Sequence, residues 1–327
     1  MATGEQLKAL VQSYADGDET RFQSLAMQIA AHEARQGHGK LAQDIKGLIE
    51  KARATRNEQA HRAVPIVQPR GELAGLFAAS FPTLRLPDMV LDREIRDRLT
   101  RTLDEQRARV KLQAHGLEPR RKLLLVGPPG SGKSMTAAVL AGELNLPLFV
   151  IRLDSLITKF MGETAAKLRL VFEAMAATRG VYLFDEFDSI GAQRALPNEV
   201  GEIRRVLNSF LQFIEHDASD GLILAATNHP EVLDRALHRR FDDLIQYGTP
   251  DDAQVLEILK ARLASFGKVD IDWQAALAVA RGHSCAEIVR SCQDAAKGAV
   301  LDDRDVICTD DILRALKERA TMGGSQV

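Results

Sequence analysis

One stretch, GPPGSGKS from Gly127 to Ser134, constrains this chain more than any other. It follows the apolar run KLLLV and precedes a helical pattern. In that context the pattern G-x-x-x-x-G-K-[ST] wraps backbone N–H groups around phosphate oxygens at a helix N-terminus. Lys133 is expected to reach the β- and γ-phosphates, and Ser134 to bind Mg²⁺. A glycine turn that binds nothing is the alternative, and the agreement of strand, loop and helix disfavours it. The predicted contacts are Gly127, Pro128, Pro129, Gly130, Ser131, Gly132, Lys133, Ser134 and Met135.

Apolar runs separated by helical patterns predict the fold class. They are KLLLV from Lys122, LFVIR from Leu148, VYLF from Val181, LILAA from Leu222 and DLIQY from Asp243. Continuous apolar runs of this kind form a parallel sheet with helices on both faces. The expected class is therefore α/β, the parallel sheet of a P-loop NTPase. After Pro250 only helical segments are expected, which predicts a C-terminal helical lid.

Changes in the pattern along the chain predict the domain boundaries. Residues 1–60 read as short amphipathic helices, an N-terminal module that is either a packing appendage or a docking domain. Residues 61–87 are punctuated by prolines, which favours an extended linker. The α/β domain is expected over residues 88–248, the lid over 249–322 and a tail over 323–327.

Composition excludes several classes of protein. The formal charge of −2 over 327 residues gives no global electrostatic footprint for nucleic acid or an anionic membrane. No apolar run approaches the roughly 20 residues that cross a bilayer, and the first residues do not resemble a secretory leader. We therefore expect a cytoplasmic protein with no membrane partner. Cys285, Cys292 and Cys308 lack metal-ligand spacing, so they are interpreted as buried thiols.

The strand VYLF ends in two adjacent acids, Asp185 and Glu186. A carboxylate at the carboxyl edge of the sheet suits a Walker B residue, so Asp185 is predicted to hold Mg²⁺. Glu186 is then placed to polarise a water for hydrolysis. A plain solvated strand end is the alternative, weakened because the pair lies one strand unit beyond the phosphate loop.

Asn228 follows the next strand, and two arginines stand further along. If the sheet is ordered as usual, Asn228 lies between the phosphate loop and Asp185, where it can orient the attacking water; capping of the following turn is an equal alternative. Arg239 and Arg240 can stabilise charge on a transferring phosphoryl group, in particular across a subunit interface. The alternative is that both form surface ion pairs with the two acids that follow them, Asp242 and Asp243.

The ordered set of motifs from about Asp88 to Ala320 resembles the AAA family of ATPases. These motifs are GPPGSGKS, KFMGET, LFDEFDSI, AATNHPEVLD, ALHRRFDD and GHSCAEI. The resemblance implies ATP and Mg²⁺ as ligands, an α/β core with a helical lid, and assembly as a ring, usually a hexamer, that remodels proteins. It supports Asn228 as sensor 1, and Arg239 and Arg240 as arginine fingers with the adjacency of the katanin and spastin branch.

The resemblance also implies contacts to the adenosine. The segment GHSCAEI is similar to the lid segment of the family that approaches adenosine, which implicates His283 and Ala286. Cys285 stands where the family has a glycine. Met89 and Val90 occupy the place where relatives contact the adenine edges through the backbone.

Phe160 and Met161 form an apolar pair between polar or flexible residues. Thr164 suits a helix N-cap, so the pair is expected at a loop tip; burial in the core is the alternative. The family that KFMGET resembles uses such a tip, here Lys159, Phe160, Met161 and Gly162, to grip polypeptide in the central channel.

The expected partners are further copies of the chain and a protein substrate, together with a possible separate protease or adaptor. A DNA-processing relative such as a helicase loader is the second candidate. The apolar pair in one central loop and Glu199 in the other, Ala195 to Val200, make nucleic acid the less favoured substrate.

Overall fold

The structure is a computed structural model that describes residues 75–156, 161–187, 209–229 and 239–323. The chain divides into two units, Met1–Ile66 and Val67–Val327, and every described residue belongs to the second. The predicted N-terminal module, Lys159, Phe160, the loop at 195–200 and residues 324–327 lie outside the described residues. In the part of the chain that is described, no helix is long and apolar enough to cross a membrane.

A mixed sheet of six strands forms the centre of the fold. The strands are β1 (Phe77–Ser80), β2 (Lys122–Val126), β3 (Leu148–Ile151), β4 (Val181–Phe184), β5 (Leu222–Thr227) and β6 (Asp243–Gln246). Their spatial order is β1-β3-β4-β5-β2-β6. Strand β1 runs antiparallel to β3, and the other neighbours are parallel. The predicted parallel α/β sheet is confirmed.

Helices follow the strands and then build the lid. They are α1 (Arg93–Arg107), α2 (Arg109–Gln113), α3 (Lys133–Leu144), α4 (Leu153–Leu156), α5 (Met161–Ala177), α6 (Asp252–Ala264), α7 (Trp273–Ala280), α8 (Cys285–Leu301) and α9 (Thr309–Gly323). Residues 209–216 are also helical.

Alternate residues of the strands serve two separate cores, because successive side chains point to opposite faces. In β2, Leu123 and Leu125 are completely buried in one core, which helices α1 and α3 cover. Leu124 and Val126 are buried in the other, which α5 and the helix at 209–216 cover. The sheet is therefore enclosed on both faces, as its continuous apolar strands predict.

The register brings the carboxyl ends of β2, β4 and β5 to one edge. Val126 pairs with Thr227, and Phe184 pairs with Ala225, so the chain leaves all three strands close together. Strand β5 lies between β4 and β2, which confirms the expected position of the residue after it, Asn228. Ligand sites in such sheets lie at this edge.

The predicted linker of residues 61–87 is wrong over Phe77–Ser80, because these residues form β1, an edge strand of the sheet. Phe77 is 6% exposed, and its ring centroid lies 5.9 Å from that of Phe149 on β3. Proline is tolerated beside an edge strand, so Pro82, two residues beyond β1, does not prevent this pairing.

The expectation of a wholly helical lid is also wrong. Two short strands, β7 (Lys268–Asp270) and β8 (Val306–Cys308), pair in parallel. Three residues carry too little alternation to be recognised from sequence. The pairing holds Ile307, only 4% exposed, in the apolar core of the lid.

Helix α5 begins at Met161, one turn before the predicted start near Thr164. Thr164 is 1% exposed inside the helix, so its predicted role as N-cap is wrong. Methionine and glutamate favour helix, and Glu163 in the first turn interacts favourably with the helix dipole. Met161 and Gly162 therefore belong to the first turn of α5 and not to a loop tip.

Candidate active site

The loop from Gly127 to Ser134 joins β2 to α3 at the carboxyl edge of the sheet. Gly127 donates its N–H to the Thr227 carbonyl at 3.2 Å, which ties the loop to β5. A Cβ at Gly127 would lie 2.6 Å from the Tyr247 carbonyl oxygen, so a side chain there would clash with the backbone. Glycine is required at the start of the loop by this close approach.

Tyr247 stabilises the start of α3, the helix that follows the phosphate loop. Its hydroxyl and that of Thr136 on α3 are 2.6 Å apart in a hydrogen bond, and the ring is 4% exposed. Burial raises the pKa of Tyr247 to about 12, although the bond to Thr136 acts in the opposite direction. The tyrosine is therefore neutral at physiological pH and adds no negative charge near the phosphate loop.

Lys133 is held within a group of oxygen atoms at the first residue of α3. Its ammonium donates to the carbonyls of Gly127 at 2.7 Å and Pro128 at 2.8 Å, and to Oδ1 of Asn228 at 2.8 Å. The lysine is 7% exposed, yet it lines the cavity above the loop. A fixed ammonium at a helix N-terminus suits binding of a phosphate group.

Ser134 and Asp185 meet across the sheet edge, as the sequence predicts for two ligands of one metal ion. The serine hydroxyl donates to Oδ2 of Asp185 at 2.6 Å. A hydroxyl and a carboxylate oxygen are the hard donors that Mg²⁺ prefers, and they lie beside the phosphate-binding lysine. The donor set therefore fits Mg²⁺.

Glu186 adopts a left-handed backbone conformation directly after the metal-ligand candidate. Its φ angle is +50°, which is uncommon for a residue other than glycine. Its N–H donates to Oδ1 of Asp185 at 2.9 Å, while the residue is exposed and lines the same cavity as Lys133. The turn thus separates two roles, since the backbone of Glu186 supports Asp185 and its side chain is available to a ligand.

Phe187 anchors this turn, a contribution that sequence reasoning missed. Its N–H donates to the Ala226 carbonyl at 2.9 Å, and its side chain is completely buried. The ring centroid lies 4.5 Å from that of Phe210. The sequence signal for this anchoring role is an apolar residue immediately after the two acids, Asp185 and Glu186.

We expect Phe187→Leu to lower the free energy of unfolding by about 1–2 kcal/mol, because the smaller side chain leaves part of this site unfilled. Urea denaturation followed by circular dichroism measures the change. Phe266→Leu is the matched control, since Phe266 is 47% exposed and its replacement should be nearly neutral. Equal stability of the two variants would contradict the anchoring role of Phe187.

Asn228 lies between the phosphate loop and Asp185, and its Oδ1 accepts from Lys133. The competing interpretation gave Asn228 a capping role in the next turn. In the structure the His229 N–H donates to the hydroxyl of Thr227 at 3.0 Å, and the predicted turn that follows, residues 230–238, lies outside the described residues. The position of Asn228 in the cavity wall is compatible with contact to the γ-phosphate or to a water.

The lid contacts the phosphate loop through the first turn of α8. Ala286 donates its N–H to the Gly130 carbonyl at 3.0 Å. Gly130 has a φ of +74°, and a Cβ there would lie 2.7 Å from the Ser284 hydroxyl. Ser284 is the N-cap of α8 and forms a capping box with Glu287, which fixes the direction of this turn.

Two cavities are lined by residues of the phosphate loop and of the first turn of α8. The larger, of about 410 Å³, is lined among the predicted residues by Pro129, Gly130, Gly132, Lys133, Ser134, Met135, Asp185, Glu186, Asn228 and Ala286. The smaller, of about 190 Å³, has Val90 and Ser131 in its wall. Met89 is buried below them, with its N–H donating to Leu86 and its carbonyl accepting from Arg96.

His283 does not take the predicted place beside adenine. It is 8% exposed, and its Nε2 lies 3.2 Å from the Leu316 carbonyl on α9. Helices α8 and α9 pack together here, so the imidazole is enclosed within the lid and not directed toward the phosphate loop. The predicted contact of His283 with the adenosine is therefore wrong.

Arg262 and Cys285 line the larger cavity but were not among the predicted contacts. Arg262 comes from the last turn of α6 and donates to the Asp88 carbonyl at 3.5 Å. No local motif marks it, because its position depends on how the lid packs. Cys285 could have been identified from the sequence, because it stands where the family has a glycine close to the nucleotide.

Among the described contacts, neither arginine pairs with the two acids that follow, Asp242 and Asp243. Arg240 donates through Nε to Glu215 at 3.1 Å, and Arg239 is exposed. Asp242 accepts from the N–H groups of Arg121 and Lys122. Asp243 pairs with Arg98 and Arg120. The alternative of local ion pairs with these acids is therefore wrong.

Comparison with known proteins agrees with this geometry. Residues 123–249 match the family model of the ATPase family associated with various cellular activities, AAA. A protein of Sinorhizobium fredii, "Uncharacterized AAA family ATPase y4kL", is 35% identical over the whole of this chain and 98% of its own length.

Two further relatives match in part. A proteasome-activating nucleotidase of Methanopyrus kandleri is 35% identical over 68% of this chain, and an ATP-dependent zinc metalloprotease, FtsH 4, of Sphaerobacter thermophilus is 32% identical over 74%. The matched regions span 52% and 38% of those proteins. The FIGL-1 AAA domain has the same fold, with a TM-score of 0.60 at 22% identity, over 78% of this chain and 91% of that domain. The full-length relative, the family model and the phosphate-loop geometry agree, and the chain belongs to the AAA family of ATPases.

Proposed function

We propose that this ATPase assembles as a ring, a hexamer, and uses ATP hydrolysis to unfold or remodel polypeptide drawn through a central pore. The observation that carries the hydrolytic part of the proposal is the convergence of Lys133, Ser134, Asp185, Glu186 and Asn228 on one cavity. This set can hold and hydrolyse a nucleotide, whereas a kinase would not need the second acid. Partly matching relatives with proteasome-activating and ATP-dependent protease names support a protein substrate. A cytoplasmic location remains a prediction.

The phosphates of ATP would replace the oxygen atoms that now surround Lys133. Its ammonium would bind the β- and γ-phosphates, with the N–H groups of the loop and the N-terminus of α3 around them. Ser134 and Asp185 would hold Mg²⁺, which neutralises charge on the phosphates when bound. The carboxylate of Glu186 then faces the cavity where a water can approach the γ-phosphate, and Asn228 can orient that water.

The polypeptide would be gripped by Lys159, Phe160, Met161 and Gly162 at the start of α5. Met161 and Gly162 are the first two residues of that helix. An aromatic ring and a thioether contact side chains of any sequence, so the grip would be non-specific and easily released. The start of α5 follows β3 and α4 directly, which links substrate contact to the sheet that carries the ATP site.

The proposal is tested by the stimulation of ATP hydrolysis. We expect a permanently unfolded protein to increase the steady-state rate and single-stranded DNA to leave it unchanged. Native mass spectrometry with a slowly hydrolysed ATP analogue should show a hexamer. Stimulation by DNA with no response to unfolded protein would instead favour a DNA-processing function.

We expect Phe160→Ala to stop unfolding of a tagged fluorescent substrate while basal ATP hydrolysis and assembly remain largely intact. The reason is that the variant loses the gripping ring and keeps every residue of the ATP site. Phe266→Ala, at an exposed position of the lid, is the matched control. A loss of about 3–5 kcal/mol of stability would show that Phe160 is a core residue and that the pore assignment is wrong.

A further inference from the structure

Cys285 is the only residue, among those the structure describes, that lines both cavities of the nucleotide site. The larger cavity contains the phosphate-binding set, including Lys133 and Asp185. The smaller is lined by apolar residues, among them Val90 and Ile95, together with charged and polar ones such as Gln246, so it offers both packing and hydrogen bonding to a base. A nucleotide with its phosphates in one cavity and its base in the other must pass its sugar beside the Cys285 side chain.

Ser131 gives an independent sign that a ligand enters the smaller cavity. It is 7% exposed, and its Oγ has no hydrogen-bond partner within the described part of the chain. A buried hydroxyl without a partner costs about 1–3 kcal/mol, so such groups are rare. Ser131 lines the cavity that also contains Cys285, so this unsatisfied hydroxyl belongs to a residue of the cavity wall, and a rotation of its side chain could bring it to a polar ligand atom.

The position of Cys285 is fixed on both sides. The residue before it, Ser284, caps α8, and the residue after it, Ala286, donates its N–H to the carbonyl of Gly130. These contacts hold the backbone on both sides of Cys285 beside the phosphate loop. Because Cys285 lines both cavities as well as packing against the lid core, a group attached to its sulfur would enter the space between the two cavities.

The chemistry of the thiol is compatible with nucleotide binding in its reduced form. Burial raises the pKa of the Cys285 thiol, so it stays protonated at neutral pH and does not repel the phosphates. It is only half-buried, and a small reagent can reach it. Cys292 differs because it is completely buried, with its pKa raised to about 12 by burial.

We propose that Cys285 is a modification site at which a small disulfide and a nucleotide exclude each other. The inference rests on the proposed placement of the nucleotide along the two cavities. In the reaction the thiol loses its proton to solvent, and its sulfur attacks one sulfur of the small disulfide. A mixed disulfide forms while the second sulfur leaves as a thiolate, and an added thiol reverses the exchange.

The attached group would fill the space that the sugar needs, so nucleotide binding would be lost without any change in the phosphate loop itself. A glycine at this position would offer no such site. The ATPase would thus be inhibited reversibly by oxidising conditions through a residue of its lid.

The experiment treats the full-length protein with dipyridyl disulfide and measures ADP affinity by calorimetry before and after. Mass spectrometry of peptides gives the occupancy of each cysteine. We expect the affinity to fall by at least about tenfold and to recover with dithiothreitol. Saturating ADP should slow modification of Cys285 by about tenfold or more and leave that of Cys308 unchanged.

Cys285→Ser and Cys308→Ser form the matched pair of variants, because both thiols are half-buried in the lid and only Cys285 lines the cavities. After treatment, Cys308→Ser should lose affinity as the natural protein does, and Cys285→Ser should change by less than about twofold. If circular dichroism shows that the serine variant is unfolded, Cys285→Ala replaces it.

Full modification of Cys285 with unchanged ADP affinity would overturn the proposal, and so would a failure of the reagent to modify Cys285 in the nucleotide-free protein. Equal sensitivity of the Cys285 variants would overturn it too. If the untreated protein bound no ADP, the proposed nucleotide site itself would be wrong, and the inference would fail with it.

Discussion

Replacing Glu186 with glutamine is expected to slow ATP turnover by about two orders of magnitude or more while ATP binding is retained. Glutamine has nearly the same shape but cannot accept a proton from the attacking water. Glu186 is exposed and lines the cavity, so neutralising its side chain leaves no buried charge without a partner. The effect should therefore be confined to the chemical step.

The structure explains why binding survives this change. The contact between Glu186 and Asp185 is made by the backbone N–H of Glu186, which glutamine keeps. The turn is also anchored by Phe187, whose N–H binds the Ala226 carbonyl. The contact between Ser134 and Asp185 is thus unaffected by the side chain at position 186.

Steady-state phosphate release gives the turnover, and binding of a fluorescent ATP analogue gives the affinity. Asp185→Asn is the informative comparison, because it removes the carboxylate proposed to hold Mg²⁺ and should weaken magnesium-dependent binding. If Glu186→Gln and Asp185→Asn lost ATP binding to the same extent, Glu186 would have a structural role, contrary to its assignment as the residue that polarises water.

The sheet could be read from sequence wherever a strand is buried on both faces. The runs KLLLV and VYLF coincide with β2 and β4, because a strand in the middle of a covered sheet is buried on both faces and is therefore apolar at nearly every position. Strand β1 was missed because three of its four residues are exposed. An edge strand of this kind lacks the continuous apolar pattern that marks the central strands. Strands β7 and β8 were missed because three residues give no periodic signal.

The residues of the candidate site also divide into those that the sequence predicts and those that it does not. Lys133, Ser134, Asp185 and Glu186 could be predicted because each stands beside a strand that the sequence marks clearly. His283 was misplaced, and Arg262 was missed, because both positions depend on how the lid helices pack. The contact of Ala286 with Gly130 joins residues far apart in the chain, and no local pattern encodes it.

Replacing both Arg239 and Arg240 with alanine is expected to lower ATP turnover by about three orders of magnitude or more, while each subunit still binds ATP. Neither arginine is among the described residues that line the two cavities of its own chain. Arg239 is exposed, and Arg240 contacts Glu215, an ion pair near the surface that contributes at most about 1 kcal/mol. We propose that both side chains act outside their own subunit. As a control, alanine replacement of two exposed arginines of α1, Arg93 and Arg101, should leave turnover nearly unchanged.

Mixing two inactive variants distinguishes a finger supplied by a neighbour from a residue that acts within its own chain. The double arginine variant keeps a complete ATP site, and the Glu186→Gln variant keeps both arginines. In mixed rings, interfaces that combine the first variant's site with the second variant's arginines should hydrolyse ATP, so the mixture should be more active than either variant alone. Native mass spectrometry must show that mixed rings form. If mixed rings form and turnover is not restored, the arginines do not act across the interface. Hydrolysis would then not require an arginine from a neighbouring subunit.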